Sequence, residues 1–177
     1  EYYEKARANI INRKAPKRER SYLSNDNNIA STYLRKEDYQ KAHLLFNDLL
    51  AKDSILEKYS SLYTKVLGSW AISGLKSGSK TFDQYESALK KSNQILDSIG
   101  DNYTKARNYE FLGEVLAAKG DTVNAIRASL QGKSIAENGL NNDRLLSILK
   151  QLIVLDTQNS GQYALSHIEL NNNLQQK

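Results

Sequence analysis

From Tyr109 to Ala118 the apolar residues Phe111, Leu112, Val115 and Leu116 recur at the three- and four-residue steps of a helix. After Gly120-Asp121 a second stripe follows, formed by Val123, Ala125, Ile126, Ser129 and Leu130. The pattern predicts two helices around a short turn. Gly120 supplies the left-handed residue that ends the first helix, and Asp121 caps the exposed amides of the second. A turn this short makes the pair antiparallel. Gly113 on one helix and Ala125 on the other put small side chains where the two backbones come closest.

Such a hairpin leaves an apolar face unburied, which directs attention to copies of it. In "NIASTYLRKEDYQKAHLLFNDLL", Ile29-Ala30 stands for Leu112-Gly113, Asp38 for Asp121 and Ala42 for Ala125, with Tyr33, Tyr39 and Phe46 adding bulk. Ala30 to Ala42 and Gly113 to Ala125 are both 12 residues apart. These residues resemble the tetratricopeptide repeat, whose helix pair carries Leu-Gly, an aromatic, Gly-Asp-Tyr, Ala and a further aromatic. Glu37 stands where that pattern has Gly, and a non-Gly residue in a left-handed turn costs roughly 1 kcal/mol or more. The turn is therefore expected to close differently. A middle copy reads Leu67-Gly68 and then Tyr85, Ala88 and Leu89, with Gly68 to Ala88 spanning 20 residues rather than 12, as if eight had been added around the turn. A fourth is expected to start at Gln151-Leu152, with Gly161 and Tyr163 in its turn and a short second helix from Ala164-Leu165. "EYYEKA" resembles the closing half of yet another second helix.

The resemblance spans nearly the whole chain. It implies an all-α fold: a right-handed superhelix of antiparallel helix pairs, an α-solenoid of the tetratricopeptide kind with about 8–9 helices. A single domain 1–177 would divide into residues 1–20 (the end of a preceding or capping helix and a basic link), 21–53, 54–100 (long and atypical), 101–140, and 141–177 (degenerate or capping). The first helices of such pairs line a concave face that binds a protein or peptide. By motif position the inward residues are Asn27 and Ser31, then Lys65 and Ser69, then Arg107, Glu110 and Glu114. Repeat proteins that clamp a chaperone's C-terminal carboxylate use Lys and Asn on these faces; here Ser31 and Ser69 occupy those places.

A narrower resemblance concerns context. "DSIGDNYTKARNYEFLGEVL" is similar to inter-repeat links in bacterial sensor proteins, often histidine kinases, and "HIELNNNLQQK" to the segment leading from the last repeat toward a membrane helix. This implies a periplasmic ligand-sensing domain of a two-component signalling protein, coupled through superhelix pitch or homodimer contacts. Kinase chemistry and membrane attachment would then lie outside these residues. The alternative is a cytoplasmic scaffold or the regulatory domain of a transcription regulator, again mediating protein–protein interaction.

Composition sharpens this only in places. The nine Gly and one Pro leave few turn signals for many short strands. The 25 basic and 20 acidic residues give a net charge of +5, spread along the chain. The densest basic stretch, "RKAPKRER", is interrupted by Glu19 and holds no aromatic to stack on a base, so it reads as a solvated link and nucleic acid is not an expected partner. No cysteine and no methionine are present, which removes thiolate chemistry and fits a trimmed start. With no run of about 18 apolar residues, the piece reads as soluble. His43 and His167 lack a ligand at helical spacing, so neither a metal nor a cofactor is expected. "GLKSGSK" lacks the Gly-Lys-Ser/Thr ending of a phosphate loop and reads as the inserted turn; no nucleophile motif or carboxylate pair calls for catalysis.

Overall fold

The computed structural model describes residues 2–10 and 15–176. These residues are all-α, with ten helices and no strand among them. The helices are α1 (Tyr2–Ile10), α2 (Ala15–Arg35), α3 (Tyr39–Leu50), α4 (Asp53–Leu56), α5 (Ser60–Lys76), α6 (Phe82–Ile99), α7 (Asn102–Lys119), α8 (Thr122–Asn138), α9 (Asn142–Leu155) and α10 (Ser160–Gln175). The count exceeds the expected eight or nine because the link after α3 winds into the four-residue α4, which is anchored by the fully buried Leu56.

Two compact units emerge, Glu1–Lys80 and Thr81–Lys177. In the first, α1 packs on α2, α2 on α3 and α3 on α5, while α2 also reaches α5. In the second, α6 to α10 pack each on the next, and α7 also touches α9. Contact between a helix and its neighbour's neighbour is what a stack of hairpins produces. The second unit's core gathers Ala106, Ala136, Ile148, Leu149, Leu152 and Tyr163.

One turn design recurs. Gly120 ends α7 with φ 91°, and Glu37 after α2 (φ 61°) and Leu140 after α8 (φ 51°) adopt the same left-handed backbone. In each case the next amide bonds back to a carbonyl five residues earlier: Asp38 to Tyr33 at 3.0 Å, Asp121 to Leu116 at 2.9 Å and Asn141 to Ala136 at 2.9 Å. The same residue then caps the following helix, its side chain accepting from the amides of Lys41, Asn124 and Arg144 respectively. The expectation that Glu37 alters its turn is thus corrected. The closing hydrogen bonds and the cap together outweigh roughly 1 kcal/mol of left-handed strain.

Three further corrections follow from where the caps fall. Tyr85, not Ala88, sits four residues past its N-cap as Ala42 and Ala125 do, and it is buried while Ala88 is half-buried. The added residues do lie around the turn, in a longer α5 end and the Ser77–Thr81 link, but with Tyr85 as the matching residue the span from Gly68 is 17 rather than 20. In the last pair, the Asn141 cap starts the first helix at Asn142, well before Gln151, and Gly161 lies inside α10, which has 16 residues and is not short. Its turn is held by Asp156, which accepts from Asn159 Nδ2 at 2.9 Å and from the Tyr163 hydroxyl at 3.0 Å. These bonds hold the Asp156 carboxyl below its ordinary range. Finally, the basic stretch is not a link from Ala15 onward. Lys17, Arg18 and Arg20 belong to α2, whose second residue is Pro16, a place where its missing N–H breaks no helical bond. Arg13 and Lys14 lie outside the described residues.

Candidate functional site

The seven residues expected on a binding face fall on α2, α5 and α7, but not all on open surface. On α2, Asn27 is buried with its Oδ1 unpartnered, and Ser31 is half-buried. On α5, Lys65 is exposed, whereas Ser69 is only 4% exposed on a helix buried around most of its circumference. On α7, Arg107 and Glu114 are half-buried, and Glu110 is 5% exposed.

Glu110 is buried because α9 supplies its partners. Arg144 Nη1 donates to one carboxylate oxygen and the Ser147 hydroxyl to the other. Gln151, one further helical step along α9, donates from Nε2 to the Glu110 backbone carbonyl at 3.1 Å. Motif position therefore places Glu110 on the correct helix, but its charge serves the α7–α9 contact. Arg144, Ser147 and Gln151 escape a sequence reading that starts the last pair at Gln151. The signal that would have found them is Leu140-Asn141, read as the turn of Gly120-Asp121.

Gly113 makes the same contact possible from the side. A Cβ there would lie 2.5 Å from Ser129 Oγ of α8, 2.8 Å from Gln151 Nε2 of α9 and 3.3 Å from the Ala125 carbonyl. The missing side chain admits two neighbouring helices at once. The small-residue seam between α7 and α8 read from the sequence is present, and α9 shares it.

Arg107 lies one turn before Phe111 on α7, with its guanidinium 5.5 Å from that ring centre. Its Nε and Nη2 are closed off from solvent and find no acceptor among the described residues, nor does Nε of Arg144. The side-chain Nδ2 of Asn141 is likewise buried and unpartnered among the described residues. Burial, and then the neighbouring Arg144 cation, lower the Arg107 pKa to about 10, so it stays protonated at neutral pH. The α7–α9 face thus holds two guanidinium groups and the Glu110 carboxylate, and Gln151 Oε1 of α9 is a buried acceptor that is likewise unpartnered among the described residues.

The other conspicuous residues are structural. His43 on α3 donates from Nδ1 to the Trp70 carbonyl of α5 at 3.2 Å and stacks on the Trp70 ring, their centres 5.7 Å apart. Burial lowers its pKa. Trp70 in turn donates from Nε1 to Asn47 at 2.6 Å. Tyr3 of α1 hydrogen-bonds Thr32 of α2 at 2.9 Å, while Tyr2 is exposed. Among the described residues no three His, Asp or Glu side chains converge as metal ligands, and no helix is long and apolar enough to cross a membrane. Compared with known proteins, the sequence matches no family model and no curated protein.

Proposed function

We propose that this chain is a non-catalytic helix-pair repeat domain of the tetratricopeptide kind, stacking its pairs as an α-solenoid does within each unit and binding a peptide or protein on its first helices. The observation that carries the reading is the recurring turn, a left-handed residue followed by an Asp or Asn cap, combined with the contacts of α2 with α5 and of α7 with α9. Hairpins repeated this way expose one continuous row of first-helix side chains. In the second unit that row holds Arg107, Phe111 and Glu114 of α7 beside Gln151 and the exposed Val154 of α9. A mixture of cation, anion, amide and apolar groups suits an extended peptide better than a small apolar ligand. The sensor context rests on the two links that resemble those of bacterial signalling proteins; in that setting the peptide or protein is the signal and the output module lies elsewhere.

The reading is tested by panning a random peptide library against the folded chain and mapping the selected peptides by amide chemical-shift changes. The expected result is a contiguous set of shifts on α7 and α9 that includes Glu114, Gln151 and Val154. Selected peptides that shift only second helices, or a library that yields no binder, would remove the assignment.

A further inference from the structure

We infer that the cleft between α1 and α2 binds a small phosphorylated polyol, with Lys17 and Arg20 receiving the phosphate and Ser24 and Asn28 the hydroxylated body. The inference goes beyond the peptide-binding reading and does not rest on it. The positive charge of the chain is not evenly shared. Residues 1–80 hold 15 of the 25 basic and 9 of the 20 acidic residues, a net +6, while residues 81–177 hold a net −1. The start of α2 is the densest basic segment of the first unit, and no acidic residue stands in its first turn, so the positive end of the helix dipole adds to the same side chains. Beside it lies an open cleft of about 690 Å³, with Ala6 and Ile10 of α1 as its apolar border and a row of polar side chains from α2 as the other.

The lining selects the ligand. Lys17 and Arg20 are exposed, lie about one helical turn apart and form no ion pair among the described residues. Glu4, Glu19 and Asp26 belong to the same two helices but do not border the cleft. Glu19 accepts from the Tyr59 hydroxyl at 2.9 Å, and Asp26 pairs with Arg7 at 2.6 Å. Two uncompensated cations match a phosphomonoester, which carries close to two negative charges at neutral pH; a carboxylate would balance only one. Asn28 lies about 12 Å along the helix from Arg20. At that end Ser24 and Asn28 carry donors and acceptors together and make no side-chain hydrogen bond among the described residues. Asn25, 6% exposed, borders the same stretch, and its Nδ2 is unpartnered among the described residues. Hydroxyl groups, which both donate and accept, complement such a row. No aromatic residue borders the cleft to stack on a nucleobase. Because Lys17, Arg20 and Asn28 are exposed, a ligand reaches them without rearrangement.

The test is a calorimetric titration of the whole chain with glucose 6-phosphate, set against inorganic phosphate, glucose and gluconate. Glucose 6-phosphate is expected to bind saturably, inorganic phosphate and gluconate each roughly tenfold more weakly, and glucose not at all. Variants at exposed positions locate the site, with circular dichroism confirming that each keeps its helical content. Lys17→Gln combined with Arg20→Gln should weaken glucose 6-phosphate by roughly tenfold or more. Asn28→Ala should weaken it by about threefold and leave inorganic phosphate unaffected. The inference is overturned if neither phosphate compound binds, if gluconate or inorganic phosphate binds as tightly as glucose 6-phosphate, or if the double variant binds unchanged. Displacement of the sugar phosphate by a lower concentration of short oligouridylate overturns it in favour of nucleic acid. None of these results alters the peptide-induced shifts expected on α7 and α9, so the two readings stand or fall separately.

Discussion

Gly113 shows how far one residue can be understood from its neighbours in the chain. Its pairing with Ala125 is legible because the two sit at matching helical positions around a turn that must bring their helices together. What the spacing does not contain is Gln151, 38 residues away in sequence, whose amide fills the same gap from the other side. Gly113→Ala would normally favour a helix by about 1 kcal/mol. Here its methyl meets Ser129 and Gln151 inside van der Waals distance, so the variant is expected to lose about 1–3 kcal/mol net, read as a lower urea midpoint at unchanged slope. Gly161 is the control, since nothing lies near a Cβ there and Gly161→Ala should be neutral or stabilising.

At the scale of the element, helix ends matter more than helix interiors. The apolar stripes predict that helices exist; the caps decide where they begin, and therefore which face each side chain takes. Misplacing the start of α9 hides Arg144 and Ser147, and misaligning α6 puts Ala88 where Tyr85 belongs. Both errors have one physical source: a cap that is not Gly-Asp is harder to recognise, although the backbone accepts Leu140-Asn141 and Glu37-Asp38 in the same conformation. Those two non-Gly residues carry left-handed strain of about 1–2 kcal/mol each, part of which Gly would return through its greater unfolded-state entropy. Leu140→Gly and Glu37→Gly are therefore each expected to stabilise the protein by roughly 0.5–1 kcal/mol, measured by chemical denaturation. A loss of stability in either would mean that the side chain contributes more than its backbone strain removes.

For the whole molecule, packing of hairpin on hairpin gives interior helices neighbours on several sides and terminal ones fewer. In the second unit α7 packs against α6, α8 and α9, whereas α10 packs on α9 and, apart from Tyr163, leaves its residues at least partly exposed. In the first, α1 packs on α2. Hydrogen exchange should follow that order, with the amides of α7 and α8 slowest and those of α1 and α10 fastest, because opening an end helix exposes little core. Uniform protection across all ten helices would instead indicate one fully cooperative unit.

The sequence by itself determined the all-α class, the antiparallel hairpins, the left-handed Gly120 turn and the closeness of Gly113 to Ala125. All of these depend on local periodicity and on residues a few positions apart. Only the tertiary structure decided that Glu110, Ser69 and Asn27 are buried and that α9 consumes the Glu110 charge. It also decided that Arg107 Nε and Nη2 are closed off from solvent with no acceptor among the described residues. Burial and ion pairing are set by which distant helix arrives alongside, and for charged side chains the desolvation that accompanies such an arrival outweighs anything local spacing specifies.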